Sequence, residues 1–439
     1  MKKLTRLFAT ALFGLGLATA SAADWYVSLS TGKNKNAGNE KTAPFKNLWK
    51  ALETAQPGDT IHVAEGNYPG KMSVGWIKVT KAVSILGGYK ADFSERDPLA
   101  YKTSLCPANK QNASKPPMGS GTLTIDLGNG VKTGKTVIDG LYMDHGDASS
   151  YHATKGKPEN VETGMYLAPP AKGNTEYPSI DSCMMHIKTG GELIIQNCIF
   201  LNASNYALQG DHYDGDVKVL NNVFINSRMI AVDVRASQNK LFATRMEFAY
   251  NTVLFNWSRT SEMTDMGYGV RANRGMDLNV HHNILGLSVF GGFDDGKVAG
   301  KETKIKLDNN VFFLNKKADC VAISSPNLLF FNVEDDAFED FEEYPGIESL
   351  EGNTSLKDPA AFKGIIDEAY LKAFIGNTYS EKTELNRDSV NNTLRALLGM
   401  NLQGTISTKV GMFFNRYPAT NVPKFFGALK GVGAQAIAK

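Results

Sequence analysis

The segment Leu193-Ile194-Ile195-Gln196-Asn197-Cys198-Ile199-Phe200 has alternating apolar residues, a polar turn and then further apolar residues. Four later segments share this pattern: 217–224 (VKVLNNVF), 246–253 (MEFAYNTV), 278–285 (LNVHHNIL) and 305–312 (IKLDNNVF). When the segments are aligned on the turn, one column contains Cys198, Asn222, Asn251, Asn283 and Asn310, at steps of 24, 29, 32 and 27 residues. A period-2 strand that recurs every ~20–30 residues is typical of a solenoid built from stacked parallel sheets.

The repeated Asn distinguishes a solenoid from an ordinary β-sandwich with Asn-rich turns. Asn side chains stacked inside one turn of each coil can hydrogen-bond to each other and to backbone groups that the turn leaves unpaired, whereas a sandwich gives no reason for one polar residue to recur at the same phase. We therefore predict an all-β fold, a right-handed parallel β-helix from about residue 60 to 330. The handedness follows from the strong preference of parallel crossovers for right-handed connections.

The first residues predict export. Lys2, Lys3 and Arg6 precede an apolar stretch from Leu7 to Ala18, and Ala20-Ser21-Ala22 forms a small-residue cleavage site. This pattern is typical of a secretory signal peptide and is too short for a spanning helix. We expect residues 1–22 to be the signal and the mature protein to be periplasmic, on the cell surface or extracellular, with no transmembrane segment.

The charge of the predicted mature chain is close to zero. Removal of residues 1–22 deletes three cations and no acid, so 47 − 3 = 44 basic residues remain against 45 acidic ones. This balance argues against nucleic acid as a partner, and we expect a monomer. Four cysteines (106, 183, 198 and 320) match no dense disulfide framework; a Cys183–Cys198 bridge and buried free thiols are both compatible with the sequence.

Both ends of the solenoid have patterns that predict caps. Phe45, Leu48, Trp49 and Leu52 lie on one face of an N-terminal helix that Pro57-Gly58 would end. Beyond an acidic stretch at about 335, a helix is predicted to begin at Asp358-Pro359 and end at Gly376, and a second to run over 389–400. We expect the β-helix to occupy 23–334, and residues 335–439 to form a partly helical cap on the last coil or along its flank.

The opening of the predicted solenoid resembles a known family. The run APFKNLWKALETAQPGDTIHVAEGNY (43–68) and the run SILGGYKADFSERDP (84–98) look like the start of secreted right-handed parallel β-helix proteins of the pectate-lyase-like superfamily. The resemblance covers about residues 24–330 and implies the fold. It does not imply one activity, because the superfamily includes lyases, hydrolases, epimerases and proteins without known chemistry.

A second strand precedes the Asn turn in each coil: 122–127, 183–188, 206–209, 232–235, 268–273 and 287–290. Three long insertions, at 89–119, 144–180 and 255–266, should lie side by side and form a wall beside this face. Because alternate residues point to opposite sides, we predict two outward columns. One contains Asp126, Lys188, Gln209, Arg235, Arg271 and Phe290, and the other contains Thr124, His186, Ala207, Asp233, Gly269 and Ser288, with Asn273 just beyond.

These columns suggest a site for an acidic polysaccharide. β-Elimination of a uronate needs a cation that neutralises the carboxylate, a base for the C5 proton and an acid for the leaving oxygen. Lys188 or His186 could be the base and Arg235 and Arg271 the carboxylate clamps. Asp233, Gln209, Asn273 and Phe290 would complete the substrate contacts. The lyases that the chain resembles use Lys and Arg on such a face, often with calcium, but no intact family motif surrounds these residues.

Three other groups of residues were candidates for ligand contacts. Asp211, Asp214 and Asp216 place three carboxylates in six residues and could hold calcium, or they could form an Asp/Gly turn. His281 and His282 should point to opposite sides of their strand, which would prevent them from sharing a metal ion. Trp257, Tyr268 and Phe290 could be sugar platforms or core residues.

Three functions remain open on this evidence. The first is a secreted protein that binds an acidic polysaccharide and cleaves it by β-elimination. The second is a noncatalytic extracellular or cell-surface β-helix protein: an adhesin, a structural component or a glycan-binding protein. The third is a hydrolase, which needs clustered outward carboxylates. It ranks last because the predicted columns contain only Asp126 and Asp233.

Overall fold

The structure, a computed structural model, describes residues 21–105, 121–128, 134–146, 183–236, 244–257, 267–273, 275–296, 303–315, 318–324, 327–356, 359–371, 374, 379–380, 405–406 and 416–438. Residues 1–20, most of the predicted signal, lie outside this set. So do 389–400, residues 106–119 of the first predicted insertion, and most of the other two insertions. Of the first insertion, residues 103–105 form a strand of the solenoid.

The described residues include the α-helix α1 (Leu48–Thr54) and short 3-10 segments at Lys71–Ser73, Asp336–Glu343, Pro359–Phe362 and Ala419–Phe425. Its strands are β1 (Asp24–Val27), β2 (Thr60–Ala64), β3 (Gly66–Asn67), β4 (Ile77–Val79), β5 (Ser84–Tyr89), β6 (Thr103–Leu105), β7 (Gly121–Asp126), β8 (Lys135–Asp139), β9 (Leu141–Asp144), β10 (Cys183–Gln196), β11 (Ile199–Ala203), β12 (Leu208–Leu220), β13 (Val223–Ser227), β14 (Ile230–Ala236), β15 (Thr244–Ala249), β16 (Thr252–Asn256), β17 (Tyr268–Arg271), β18 (Met276–His281), β19 (Ile284–Ser288), β20 (Gly291–Asp294), β21 (Lys304–Asp308), β22 (Val311–Phe313), β23 (Ala318–Ser324), β24 (Asn327–Phe331), β25 (Ile347–Ser349), β26 (Thr354–Ser355), β27 (Tyr379–Ser380) and β28 (Thr405–Ile406).

The strands stack into three parallel sheets, which confirms the right-handed parallel β-helix. Sheet 1 consists of β1, β2, β5, β8, the second halves of β10 and β12, β15, β18, β21 and β25. Sheet 2 consists of β4, β7, the first halves of β10 and β12, β14, β17, β20 and β23. Sheet 3 consists of β3, β6, β9, β11, β13, β16, β19, β22 and β26.

The predicted Asn column lies inside the turn between sheets 1 and 3. Asn222, Asn251, Asn283 and Asn310 are fully buried, and each accepts hydrogen bonds at Oδ1 from the previous coil. The backbone N–H of Asn222, for example, donates to Asn251 Oδ1 at 2.9 Å, and the Nδ2 of Asn251 donates to the carbonyl of Val219 at 2.8 Å. Cys198 begins the column by donating its backbone N–H to Asn222, and Asn353 continues it. The ladder satisfies backbone groups that a bare turn would leave unpaired.

The two ends of the solenoid are covered as predicted, with different local structure at the C-terminus. Leu48 and Ala51 of α1 join the core at the N-terminal end. Strand pairing continues past residue 334 to β25 and β26, so the solenoid extends beyond the boundary that the change in composition predicted. Phe331 on the antiparallel strand β24, together with Phe341, covers the last coil.

The predicted helix from residue 359 is interrupted. A 3-10 turn ends at Phe362, Gly364 has a φ of 76°, and helical geometry resumes at residue 368. The positive φ breaks a continuous helix. Phe362, Ile366 and Tyr370 nevertheless pack with Tyr417 and Phe425 against the outer surface of sheet 3. The C-terminal region thus lies along the flank of the solenoid.

Two smaller findings complete the fold. Cys183, Cys198 and Cys320 are buried, and no disulfide joins Cys183 to Cys198; Cys106 lies outside the described residues. Burial raises the pKa of the Cys183 and Cys198 thiols to about 12. No helix in the described part of the chain is long and apolar enough to cross a membrane.

Candidate functional site

The outer face of sheet 2 carries two columns of polar side chains, as the alternation predicts. Register pairs the residues of each column coil by coil. The inner column is Lys78, Thr124, His186, Gln209, Asp233, Arg271 and Asp294, and the outer column is Asp126, Lys188, Asp211 and Arg235. We call these together the sheet 2 face.

The predicted membership of the columns is wrong at Gln209, Arg271 and Phe290 of the first column and at Ala207, Gly269 and Ser288 of the second. Lys188 lies opposite Asp211, whereas Gln209 lies opposite His186. Val232 pairs with Val270, so Arg271 is opposite Asp233 and not in the column of Arg235. Alternation assigns a residue to a face, but the register between coils depends on how the inward side chains stack. The continuous cationic column is therefore replaced by alternating cations and carboxylates.

In the outer column, both carboxylates form ion pairs. Lys78 Nζ lies 2.7 Å from Asp126 Oδ2, and Arg235 Nε lies 3.0 Å from Asp211 Oδ1. Burial would raise the pKa of Asp126, but the hydrogen bond and charge of Lys78 lower it by more, and the net pKa is lowered. Lys188 stands between these pairs and forms no ion pair with another described residue. It is the cation of this face that remains available to an external anion.

His186 lies two residues before Lys188 on the same strand, and only 8% of it is exposed. Its Nδ1 has no hydrogen-bond partner among the described residues. Burial lowers the pKa of the imidazole below 6.5, with the charge of Asp211 acting in the opposite direction. Nδ1 is enclosed by protein atoms, so the neutral imidazole can exchange a proton with a ligand only through Nε2.

Arg271 belongs to a buried cluster and cannot act as a free carboxylate clamp. Its Nε donates to Asp294 Oδ2 at 2.5 Å, and Asp294 is completely buried. Burial raises the pKa of Asp294, although the charge of Arg271 acts in the opposite direction. Desolvation would lower the pKa of Arg271, but the charges of Asp294 and Asp233 outweigh it, and the net pKa is raised. Asn273 donates to Asp233 Oδ1 at 2.7 Å. The cluster holds the C-terminal end of the sheet 2 face together.

The predicted aromatic platform is wrong. The strand expected at 287–290 lies at 291–294, and Phe290 is fully buried against Tyr268, with ring centroids 5.0 Å apart. Trp257 and Tyr268 are also fully buried. All three are core residues, because they lie at the junction of sheets 3 and 2, where apolar side chains fill the corner.

The predicted calcium ligands do not converge. Asp211 is on sheet 2 and pairs with Arg235, whereas Asp216 is on sheet 1, where Arg245 Nε lies 2.5 Å from its Oδ1. Gly215, with a φ of 103°, lies at the bend of β12 that separates Asp214 from sheet 1. The described residues contain no group of three His, Cys, Asp or Glu side chains that could hold a metal ion.

Sequence reasoning missed Lys78, Tyr213 and Asp294 as parts of this surface. Burial and the charge of Asp211 raise the pKa of Tyr213, so its hydroxyl stays protonated near neutral pH. The sequence Gly291-Gly292-Phe293-Asp294 does not by itself show that Asp294 lies beside Arg271. That contact can be recognised only when the register between the two strands is known. Lys78 belongs to a strand of three residues, which is too short for a periodic pattern to be recognised.

Comparison with known proteins supports no specific activity. Residues 30–92 match a family described as a protein of unknown function, DUF1565. No curated protein matches the chain. Among solved structures, a rhamnogalacturonan lyase is 12% identical, with a TM-score of 0.37 over 71% of this chain and 80% of that chain. Pectate lyase Pel9A is 11% identical, with a TM-score of 0.34 over 95% and 97% of the two chains. A structure of XylC with xylose is 11% identical, with a TM-score of 0.26 over 68% and 69%. These values assign no activity, and any function must be argued from the residues of the sheet 2 face.

Proposed function

We propose that the protein binds an acidic polysaccharide along the sheet 2 face, with Lys188 contacting a carboxylate of the glycan. The observation that carries this proposal is the lack of an ion pair at Lys188 among the described residues, beside neighbours that are paired. A half-buried cation that lies between Asp126 and Asp211, each paired with another cation, can bind an anion without first breaking an ion pair. The predicted signal peptide supports action after export.

The arrangement suits a chain-like ligand. Successive coils lie about 4.8 Å apart, so the polar groups of the outer column from Asp126 to Arg235 are spaced over about 14 Å. The face has equal numbers of cations and carboxylates: Lys78, Lys188, Arg235 and Arg271 against Asp126, Asp211, Asp233 and Asp294. The accessible part of this surface, from Lys78 and Asp126 to Arg235, offers hydrogen bonds to sugar hydroxyls, and a local anion site at Lys188.

The binding experiment compares Lys188→Ala with Lys306→Ala, which removes an exposed cation from sheet 1. A charged hydrogen bond contributes about 1.5–3 kcal/mol, so Lys188→Ala should weaken the affinity for a uronate polymer by about 10- to 100-fold. Lys306→Ala should leave the affinity unchanged. Calorimetric titration with polygalacturonate, alginate and a neutral glucan measures this. Equal affinities of both variants and the wild type would contradict the proposal.

We extend this proposal to cleavage of the bound polysaccharide by β-elimination. Lys188 would neutralise the uronate carboxylate, and His186, neutral at pH 7 because burial lowers its pKa, would remove the C5 proton through Nε2, because Nδ1 is enclosed. The protonated hydroxyl of Tyr213 would donate a proton to the leaving oxygen. The products would be a chain with an unsaturated uronate end and a second chain with a free hydroxyl, and no water is consumed.

The noncatalytic alternative is favoured by a different observation. Arg235 and Arg271, the two predicted carboxylate clamps, are both engaged by aspartates. The ultraviolet absorbance of an unsaturated product separates the alternatives. Product formation that is lost in His186→Gln and has an acidic limb below pH 6.5 supports elimination, because the base must be unprotonated. Tight binding without product would show that the protein binds the glycan and does not cleave it.

A further inference from the structure

The turn after β18 brings two imidazoles together on the outside of the solenoid. His281 ends the strand, and His282 has a φ of 55°. Because this left-handed turn reverses the direction of the side chain, the two rings do not lie on opposite sides as alternation predicts. Their Nδ1 atoms are 3.0 Å apart, and the rings are nearly perpendicular, at 88°.

Neighbouring side chains hold both rings in place. His281 Nε2 lies 3.4 Å from Glu247 Oε1 in the preceding coil. The ring of Tyr250 stacks on His282, with centroids 5.0 Å apart and an interplanar angle of 24°. His281 has 20% of its side chain exposed, so the pair is accessible to a small ion.

We propose that His281 and His282 chelate one divalent transition-metal ion through their two Nδ1 atoms. With metal–nitrogen distances of about 2.0–2.1 Å, two ligands at 90° are about 2.9 Å apart and two at tetrahedral angles are about 3.4 Å apart. The observed separation lies within this range. Imidazole ligands suit zinc, copper and nickel.

The contact of His281 with Glu247 supports the proposal independently of the Nδ1 separation. A histidine that ligates a metal commonly donates its other ring N–H to a carboxylate, which fixes the ring and the tautomer. Glu247 is in position to accept from Nε2 when Nδ1 faces the ion. Among the described residues no third His, Cys, Asp or Glu joins the pair in a metal-binding group, so water would complete the coordination.

Metal binding at this turn would also affect the C-terminal region. The carbonyl of His282 accepts a hydrogen bond of 2.8 Å from the backbone N–H of Gly433. An ion that fixes His282 therefore stabilises the docking position of the segment around Gly433. This function is separate from the proposed glycan site, which lies on sheet 2.

The test uses the untagged mature protein, with Zn²⁺ in isothermal titration calorimetry and Cu²⁺ in electron paramagnetic resonance. We expect one Zn²⁺ per chain, two nitrogen ligands on Cu²⁺, and a melting temperature raised by saturating Zn²⁺. His282→Asn is the decisive variant, because Asn197, Asn221 and Asn309 adopt the same positive φ in other coils and the fold should be kept. We expect at least a 10-fold loss of Zn²⁺ affinity in this variant and in His281→Asn.

Two further variants make the test specific. Glu247→Ala should weaken Zn²⁺ binding by about 10-fold while leaving one site, because it removes the carboxylate that orients His281. His62→Asn removes another histidine of sheet 1 and should leave the affinity unchanged. The absence of stoichiometric Zn²⁺ and Cu²⁺ binding, or undiminished affinity in His282→Asn, would overturn the proposal and leave a simple imidazole–imidazole hydrogen bond.

Discussion

Residues of the same type have different roles on the sheet 2 face because they differ in burial. Arg235 has 45% of its side chain exposed, whereas Arg271 has 18% exposed and pairs with an aspartate that has none. Exposed ion pairs contribute little to stability because water screens them. Removing one partner of a buried pair leaves an uncompensated charge and is strongly destabilising.

Replacement of each arginine should therefore give contrasting results. Arg271→Ala should lower the free energy of unfolding by about 3–5 kcal/mol, whereas Arg235→Ala should change it by less than about 0.5 kcal/mol. Urea unfolding followed by circular dichroism measures both. Similar stabilities of the two variants would show that the buried carboxylate of Asp294 does not need the charge of Arg271 to stabilise the fold.

The protein should lose stability in mild acid because the pKa of its buried histidines is lowered. Burial lowers the pKa of His212 to about 4 from 6.5. Since the unfolded chain binds this proton more readily, the contribution of His212 to stability is complete above pH 6.5 and is lost as the pH falls towards 4. Between pH 7 and pH 5 the loss is about 2 kcal/mol.

The variant His212→Leu isolates this contribution. Its melting temperature should decrease less between pH 7 and pH 5 than that of the wild type. His145, whose pKa burial lowers to about 3, remains in both proteins and supplies the same background. Parallel pH dependence of the wild type and the variant would show that His212 does not take up a proton on unfolding.

At the scale of elements, the Asn ladder connects the turns between sheets 1 and 3. Asn251 donates to Val219 O and Asn283 Oδ1, and accepts from the backbone and side chain of Asn222. The next coils repeat the same contacts through Asn310 and Asn353. Because solvent does not reach these turns, the Asn side chains provide the hydrogen bonds that the buried backbone groups need.

Asn251→Ala should therefore cost about 3 kcal/mol or more, since each buried group left unpaired costs about 1–3 kcal/mol. Asn353→Ala is the matched control, because Asn353 forms the same bonds at the last, half-exposed coil, where water can replace them. Chemical unfolding of both variants tests this. A loss at Asn353 as large as at Asn251 would show that solvent does not substitute for the amide.

At the scale of the whole molecule, sheet 3 has apolar side chains on both faces. The inner face packs in the solenoid core, and the outer face is covered by Tyr417, Val422 and Phe425 of the C-terminal segment. The backbone N–H of Gln435 donates to Asn221 Oδ1, and that of Tyr417 donates to Asn202 Oδ1. The C-terminal segment thus completes the core and satisfies the outer side chains of the turns.

Two glycines of this segment give a matched test of the docking. Gly433 has a φ of 67°, and a Cβ there would overlap the side chain of Ile284; Gly431 has a φ of 81° and open space around it. Gly433→Ala should lower the melting temperature more than Gly431→Ala, which adds only backbone strain. Gly433→Ala should also increase the binding of a hydrophobic dye. Equal effects of the two substitutions would show that close docking at Ile284 is unimportant.

Much of the fold was predictable from the chain because its signals are local and repeated. Alternation identified the strands and their inward residues, and the recurring Asn identified the turn that is buried in every coil. The apolar face around Leu48 indicated the N-terminal cap. Each of these signals depends on neighbouring residues along the chain, so no tertiary information was needed.

The site required the tertiary structure, because it depends on register and burial between coils. The coils differ in length, and the sequence therefore does not show whether Lys188 meets Gln209 or Asp211; the stacking of inward side chains such as Met185 and Leu208 decides this. Burial of Arg271 and Phe290 likewise depends on neighbouring coils. The pairing of His281 with His282 follows from one left-handed residue, which reverses the side-chain direction that strand alternation predicts.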